Sequence, residues 1–243
     1  MKTASFFSPI LAVLMFLAGI AFQLILSSSL VWAQLEASIF GTQTADADLG
    51  IQCPVILAES ESGLVSTTVT NSLDRDVLPV VTAEVSRGAG MQSLNETLSL
   101  APHETRQVQW RVDAANVIFG RLILVSVVQR RYSDLESRQG ACGILVFSLF
   151  NLSGAAALAL IFFGSLGLIL TGGLLWWRRY APLDERAEST FRACSTLAGV
   201  VTVASLAGLP RWWGLTILLN VVALIMLVVI FTELKLFPGR ARS

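Results

Sequence analysis

The sequence has few of the side chains that most enzymes use for chemistry. Only 14% of its 243 residues are charged, and it contains a single histidine, His103. One histidine cannot supply bis-histidine haem ligation or the common zinc and copper sites, nor a base for a serine nucleophile inside the apolar runs. We therefore predict no catalytic residues, no cofactor and no metal, and we expect His103 to be an exposed turn residue.

Basic residues are scarce where a nucleic acid would need them. Residues 34–150 contain eight Arg, no Lys and thirteen Asp or Glu, a net charge of about −5. Because a nucleic-acid-binding surface needs a basic patch or stripe, this composition argues against a nucleic-acid partner.

Apolar residues are abundant, at 54% of the chain, and the mean hydropathy is +0.68. Soluble domains contain about 25% charged residues, so this composition is typical of a membrane protein. Four apolar runs are candidates for the bilayer: residues 6–26, 140–177, 193–209 and 215–232. We predict a multi-pass protein surrounded by membrane lipid.

Residues 1–33 have the arrangement of a secretory signal. Lys2 precedes the apolar run, and Val31 and Ala33 form a small-residue site after it. The apolar core is longer than the roughly 7–15 residues usual for a cleaved signal, which suits an uncleaved signal-anchor helix. Cleavage after Ala33 and retention are both open, and both place the next segment across the membrane.

The second apolar run is too long for one membrane helix, because about 20 residues span the hydrocarbon core. We read residues 142–147 as the last strand of an external domain at 34–150. Asn151 or Ser153 then caps a transmembrane helix at 151–178.

The last two runs join through a turn at Pro210 and predict a transmembrane helical hairpin at 193–232. This leaves a loop at 179–192 and a tail at 233–243, both rich in Arg or Lys. The positive-inside rule makes both cytoplasmic, in a plasma membrane, with the 34–150 domain extracytoplasmic. Aromatic and basic residues at the helix ends are predicted membrane-interface anchors: Trp176, Trp177, Arg178, Arg179, Trp212 and Trp213.

The external domain shows the period of two that is typical of half-buried strands. Val108, Trp110 and Val112 alternate with polar residues, whereas 122–128 is almost continuously apolar, as in a strand buried on both faces. Short strands separated by turn residues predict an antiparallel β-sandwich of the immunoglobulin-like kind. Asn95 begins a glycosylation sequon, which matters only in an organism that glycosylates.

Three stretches of this domain carry a resemblance to a known family: residues 65–72, 100–105 and 107–112. Their order of strands and turns resembles that of bacterial immunoglobulin-like domains of the cell-adhesion-related and fibronectin-like kind. The resemblance implies a non-enzymatic spacer or binding module, and it does not extend to the helices.

Two of the three cysteines lie at opposite ends of the external domain. Cys53 opens its first strand and Cys142 its last, on the oxidising side of the membrane in this topology. We predict that they form a disulfide, the alternative being two separate buried thiols. Cys194, in the third apolar run, is read as an inert apolar residue.

Small residues are frequent in the apolar runs and predict close helix packing, since lipid provides no hydrophobic drive for helix association. We expect such contacts at Gly164, Gly167 and Gly199, either within this chain or against a larger membrane complex. Asn220 should face another helix and form a hydrogen bond there.

These observations predict a non-catalytic, membrane-anchored protein. Its role is that of an accessory or structural subunit with membrane-protein partners, or of a cell-envelope interaction module. The alternatives are an extracytoplasmic ligand-binding sensor and a non-catalytic subunit of an enzyme or transporter. A sensor would need a pocket with converging polar groups, and no ligand is evident from the sequence.

Overall fold

The computed structural model describes residues 9–40, 45–130, 134–148, 152–180 and 185–236. The chain divides into two compact units. We call Trp32–Leu158 the sandwich unit, and Met1–Val31 with Ala159–Ser243 the helix unit. The predicted tail beyond residue 236, Lys2 and the alternative cap Asn151 lie outside the described residues.

The described residues form four long helices: α1 (Pro9–Phe40), α2 (Gly154–Tyr180), α3 (Glu185–Gly208) and α4 (Trp213–Leu236). All four are long and apolar enough to cross a membrane. Within the predicted loop at 179–192, residues 179–180 belong to α2 and residues 185–192 belong to α3. Glu188 and Arg192 form an ion pair one turn apart, which favours helix in this polar stretch. The cytoplasmic location of the connection stays a prediction.

The strands formed by the described residues all belong to the sandwich unit. They are β1 (Ala47–Asp48), β2 (Ile51–Gln52), β3 (Ile56–Ala58), β4 (Gly63–Thr70), β5 (Val80–Arg87), β6 (Gly90–Thr97), β7 (Thr105–Val112), β8 (Leu122–Gln129) and β9 (Arg138–Phe147). One sheet, sheet A, has the order β1-β9-β8-β5-β6, with β3 also paired to β9; the other, sheet B, has the order β2-β4-β7.

The sheets are mixed, which corrects the prediction of a purely antiparallel sandwich. Strands β1 and β3 both pair with β9 in parallel, and the other pairings are antiparallel. A parallel pair needs a long connection between its strands, and here most of the sandwich sequence separates β3 from β9. Single-strand periodicity contains no information about such a distant partner.

The core between the sheets is formed by the alternating apolar positions. Val81, Ala83 and Val85 of β5 face Val108 and Val112 of β7, and all five are at most 2% exposed. A disulfide joins Cys53 to the fully buried Cys142 within this core, so the predicted pair is bonded.

Strand β8 is also buried on the outer face of sheet A. All eight residues of β8 are buried, and Leu122 and Leu124 alternate with the core residues Ile123 and Val125. The last turns of α1 lie on this face. Gln34 Nε2 donates to the carbonyl of Ala141 at 3.2 Å, and a Cβ at Gly143 would overlap the carbonyl of Ala33.

The first turn of α2 is held by the sandwich. Glu61 Oε2 accepts hydrogen bonds from the backbone amides of Ala58 at 2.9 Å and Gly154 at 2.8 Å. Ser153 Oγ accepts from Ala156 at 3.2 Å, which is the cap geometry expected of Ser153. The amides of Ala58 and then Gly154 hold the pKa of the Glu61 carboxyl below its usual range.

Loss of the disulfide should destabilise the sandwich. The bond closes a loop of 89 residues, which corresponds to about 4–5 kcal/mol in the chain-entropy treatment. We expect the double variant Cys53→Ala/Cys142→Ala to have a melting temperature well below that of the wild type. The control variant Cys194→Ala keeps the disulfide, so reduction should lower its melting temperature as it lowers that of the wild type. Thermal unfolding with and without dithiothreitol measures this, and a wild-type melting temperature that reductant does not change would contradict the prediction.

Protonation of Glu61 should weaken the attachment of α2. Because its folded pKa lies below the value of about 4.3 for an unfolded chain, Glu61 stabilises the fold fully above that pH. The contribution disappears as the pH falls through the lower, folded pKa. Melting curves between pH 6 and pH 3 should therefore show a smaller acid-induced loss for Glu61→Gln than for Glu59→Gln, which alters an exposed neighbouring carboxylate. An identical loss in both variants would refute the prediction.

Candidate functional site

The sandwich unit contains a cavity of about 620 Å³ beside the last turn of α1. Three chain segments form its wall: α1, the turn between β5 and β6, and the turn before β8. The lining residues are Glu36, Ile39, Phe40, Gly88, Ala89, Gly90, Met91, Ile118, Phe119 and Leu124. Ile39 is 66% exposed, Met91 58% and Phe119 75%, so three large apolar side chains surround the opening.

Phe119 stands on a rigid turn. Ile118 and Leu122 exchange two backbone hydrogen bonds, of 2.7 and 3.0 Å, across Phe119 and Gly120. The preceding 3₁₀ turn is fixed by Asn116, whose Nδ2 donates to the carbonyl of Ser86 at 3.1 Å. Phe119 itself has φ of +50° and Gly120 has φ of +68°. A positive φ is an unfavourable conformation for an aromatic residue, and here it holds the ring outward.

The turn opposite Phe119 begins the outermost strand of sheet A. Gly88, at φ of +58°, allows a two-residue turn that closes on the pair Arg87 and Gly90. In the described part of the chain, β6 pairs with β5 alone. The other edge of β6 is therefore unpaired from Gly90 to Thr97, and it starts at the cavity.

Glu36 supplies the one charge among the described lining residues. It lies on the last turns of α1 and is half-buried. No described cation lies within ion-pair distance of its carboxylate. The cavity thus combines an apolar wall with one acidic group, which suits an apolar ligand that carries a positive charge.

The arrangement offers binding groups rather than a recognisable reaction centre. His103, predicted as an exposed turn residue, lies at a turn with φ of +57°, and its Nε2 lies 2.8 Å from Asp74 Oδ1 at the surface. Across the described residues, no group of three or more His, Cys, Asp or Glu side chains is placed to hold a metal ion.

The predicted interface anchors fall into two groups. Trp176 is buried in the helix unit, with ring centroids 5.8 Å from Phe16 and 5.3 Å from Phe191. Its aromatic packing places it inside the helix unit, which corrects its assignment as an interface residue. Trp177, Arg178 and Trp212 are exposed and Trp213 is half-buried, and their contact with a membrane interface stays a prediction. The side chain of Arg179 lies outside the described residues.

Asn220 lies where α4 meets α1. Its Oδ1 accepts a hydrogen bond from Ser27 Oγ at 2.9 Å, and its Nδ2 donates to the carbonyl of Thr216 at 3.0 Å. Sequence reasoning missed another buried polar residue of the helix unit, Gln23 of α1. It is fully buried, and its Nε2 donates to the carbonyl of Phe162 at 3.3 Å. A glutamine in the middle of an apolar run could have indicated it, since polar groups in such runs seek partners on other helices.

The close helix contacts do not occur at the predicted glycines. A Cβ at Gly164, Gly167 or Gly199 would meet nothing within 4 Å. The close approaches are between α1 and α2, where a Cβ on Gly172 would lie 2.6 Å from the amide nitrogen of Phe16. At Gly19 it would lie 2.7 Å from the carbonyl of Ser165. The composition indicates that small residues permit contact, but not which of them face a neighbour.

Gly199 instead lines an open apolar groove of about 700 Å³ on the helix unit. Leu166 and Gly173 of α2 form part of the opposite wall, and Phe16 of α1 also lines it. Its small lining residues on α3 are Ser195, Ala198, Gly199 and Thr202. None of the described lining residues is charged.

The cavity on the sandwich was not predicted from the sequence. Phe119-Gly120 and the Gly88–Gly90 turn are local signals for turns, but the cavity forms only because α1 brings Glu36 and Ile39 next to both. The end of α1 is separated from each of the two turns by at least about 48 residues of sequence, so no local pattern indicates their contact.

No family model and no curated protein matches this chain. Among solved structures, the CARDB domain of a Pyrococcus furiosus protein, determined in complex with di-metal ions, is 12% identical with a TM-score of 0.32. That match covers 42% of this chain and 93% of the domain. A β-glucuronidase of Bacteroides uniformis is 20% identical, with a TM-score of 0.30, over 40% of this chain. A β-glucosidase of Listeria innocua is 15% identical, with a TM-score of 0.30, over 45% of this chain.

This chain spans 12% of the length of the β-glucuronidase and 18% of that of the β-glucosidase. Together these structures are a loose match to β-sandwich domains. At this level of similarity they carry no argument about activity, ligand or partner.

The glycine contacts of the helix unit can be tested with a matched pair of variants. Gly172→Leu should force α1 and α2 apart and cost about 1–3 kcal/mol, the usual range for an overpacked contact. Gly164→Leu, on the same helix, should leave stability unchanged because its position is open. Thermal unfolding of the detergent-solubilised protein, followed by intrinsic tryptophan fluorescence, measures both. Equal melting of the two variants would contradict the assigned contacts.

Proposed function

We propose that this protein is a non-catalytic, multi-pass membrane protein whose extracytoplasmic sandwich binds another protein. In this role it is an accessory or structural subunit of a larger membrane assembly, or an anchored interaction module of the cell envelope. The observation that carries the proposal is the cavity bordered by the exposed side chains of Ile39, Met91 and Phe119. Exposed apolar clusters of this kind mark interaction sites on soluble domains.

The chemistry of the cavity favours protein binding over sensing or catalysis. A sensor for a small polar ligand would need several converging polar groups, whereas the described lining contributes one charged group, Glu36, to a mainly apolar wall. A reaction centre would need a nucleophile and base, or a metal site, in mutual contact. The described lining residues include no Ser, Thr, Cys, His or Lys.

The proposed topology has four membrane crossings, with both termini in the cytoplasm. The apolar segment of α1 from Ile10 to Phe40 has 31 residues, or about 46 Å at 1.5 Å per residue. This exceeds the hydrocarbon core of about 30 Å, so about ten residues extend beyond it, in agreement with their contacts on the sandwich. The arginines at the end of α2 and the beginning of α3, at positions 178, 179, 186 and 192, support a cytoplasmic location for the connection between these helices.

Retention of residues 1–33 as a signal anchor is part of the proposal. Ala33 is 2% exposed and Ala37 is fully buried, so their small size is explained by packing on sheet A as well as by a cleavage site. The bond after Ala33 lies inside a packed helix, and proteolysis there would require the helix to open. Retention also keeps the Ser27 hydrogen bond to Asn220 within the helix unit.

Native mass spectrometry of the protein, extracted in mild detergent from the membranes that normally contain it, tests the proposed function. We expect a complex with at least one other chain in fixed stoichiometry. A lone monomer at all detergent concentrations would refute the accessory-subunit role.

The same spectra test retention. After dissociation of the complex, the mass of this chain should include residues 1–33, because they supply Phe16, Gln23 and Ser27 to the packing and hydrogen bonds of the helix unit. A mass lacking the first 33 residues would show instead that cleavage occurs after Ala33.

A further inference from the structure

We propose that the cavity and the free edge of β6 together bind an extended segment of the partner protein, in which a basic residue stands beside an apolar one. The inference rests on the proposed function and names the surface and the kind of segment that it uses. It requires three properties of the surface: an available backbone edge, an apolar recess and a complementary charge.

The backbone edge is long and poorly protected. Strand β6 has eight residues, or about 26 Å at 3.3 Å per residue. Since the turn closes on the bonded pair Arg87 and Gly90, the ladder alternates so that the amides of Met91 and Ser93 point to the free edge. A partner strand could use these groups in the manner of β-strand addition.

The unpaired edge of β7, in sheet B, differs in its protection. Strand β7 ends sheet B and carries Arg106 and Arg111, and charged side chains are a common means of keeping edge strands from pairing. Strand β6 carries a single charged residue, Glu96, no proline and no cation. The edge beside the cavity is therefore the one more open to a partner strand.

The recess lies at the beginning of that edge. Met91 belongs both to β6 and to the cavity wall, so a strand paired there would bring its own side chains to the opening. The ring of Phe119, held outward in a strained conformation, faces the same opening. Strained residues of this kind persist where the surrounding structure fixes them, and they cluster at binding sites.

The charge of the surface selects a basic segment. Glu36 has no described ion-pair partner, and residues 34–150 have a net charge of about −5. A lysine or arginine of the partner would meet Glu36 in a partly desolvated position, where charge-assisted hydrogen bonds are strongest. An acidic segment would be repelled by Glu36 and Glu96.

Photo-crosslinking in native membranes tests the inference on the full chain. Met91 is replaced by the photoreactive residue benzoylphenylalanine, and the crosslinked peptide is identified by mass spectrometry. We expect a peptide from another protein in which a Lys or Arg is next to an apolar residue. A crosslink to a second copy of this chain, an adduct with lipid alone, an acidic peptide or no crosslink would each overturn the inference.

Two pairs of variants separate the charge from the strand edge. Glu36→Lys should lower the crosslink yield at least tenfold, and Glu36→Gln should lower it less, because it removes the attraction without adding repulsion. Ser93→Pro removes an outward amide and should lower the yield about tenfold, whereas Ser93→Ala should keep it. Formation of the Cys53–Cys142 disulfide in each variant verifies that the sandwich has folded.

The result also distinguishes this inference from the function on which it rests. If a partner co-purifies in fixed stoichiometry but Glu36→Lys and Ser93→Pro leave the crosslink yield unchanged, this binding mode is wrong and the accessory role stands. If the wild type has no partner at all, both are wrong.

Discussion

The structure of the sandwich depends on burying both faces of sheet A. Strand β8 is buried throughout its length, and its alternate residues face opposite sides. Sheet B covers one side, and the last turns of α1 lie on the other. Each large apolar side chain so buried contributes about 1.5–3 kcal/mol. The burial of Leu122 and Leu124 on the outer face therefore stabilises the sandwich. The contact with α1 is close because Gly143 has no side chain and Ala33 has only a methyl group, so the two backbones can approach each other.

Strand β9 is the element on which these constraints meet. Cys142 points into the core and forms the disulfide, whereas the next residue, Gly143, lies beneath α1. Its parallel partners β1 and β3 bring the first strands of the sandwich to the last one. Beyond its end the chain enters α2, whose first amide is bound by Glu61. Strand β9 thus pairs with the first strands of the sandwich, contributes to its core and leads into α2.

The same α1 segment that completes the outer face also creates the open site. Its last turn places Glu36 and Ile39 beside two turns of the sandwich and leaves a cavity that the chain's described residues do not fill. Elsewhere the apolar residues of β8 are covered and the polar residue Asn71 is fully bonded to nearby backbone. The contrast between a well-covered strand β8 and an uncovered cavity at the edge of the sheet is the physical basis for the binding role that we propose for the cavity.

The sequence by itself determined the features that neighbouring residues encode: the alternation of the strands, the burial of β8 and the four apolar helices. It also predicted the pairing of Cys53 with Cys142, from their locations at the two ends of the external domain and not from a local pattern. Periodicity and composition are local properties, and they survive without knowledge of the fold. Only the tertiary structure decided that β3 lies parallel to β9, that Gly172 rather than Gly164 makes a close contact, and that Ala33 packs on Gly143. Each of these depends on which surface meets which across a long separation in sequence, and a single chain's pattern of residues does not specify that choice.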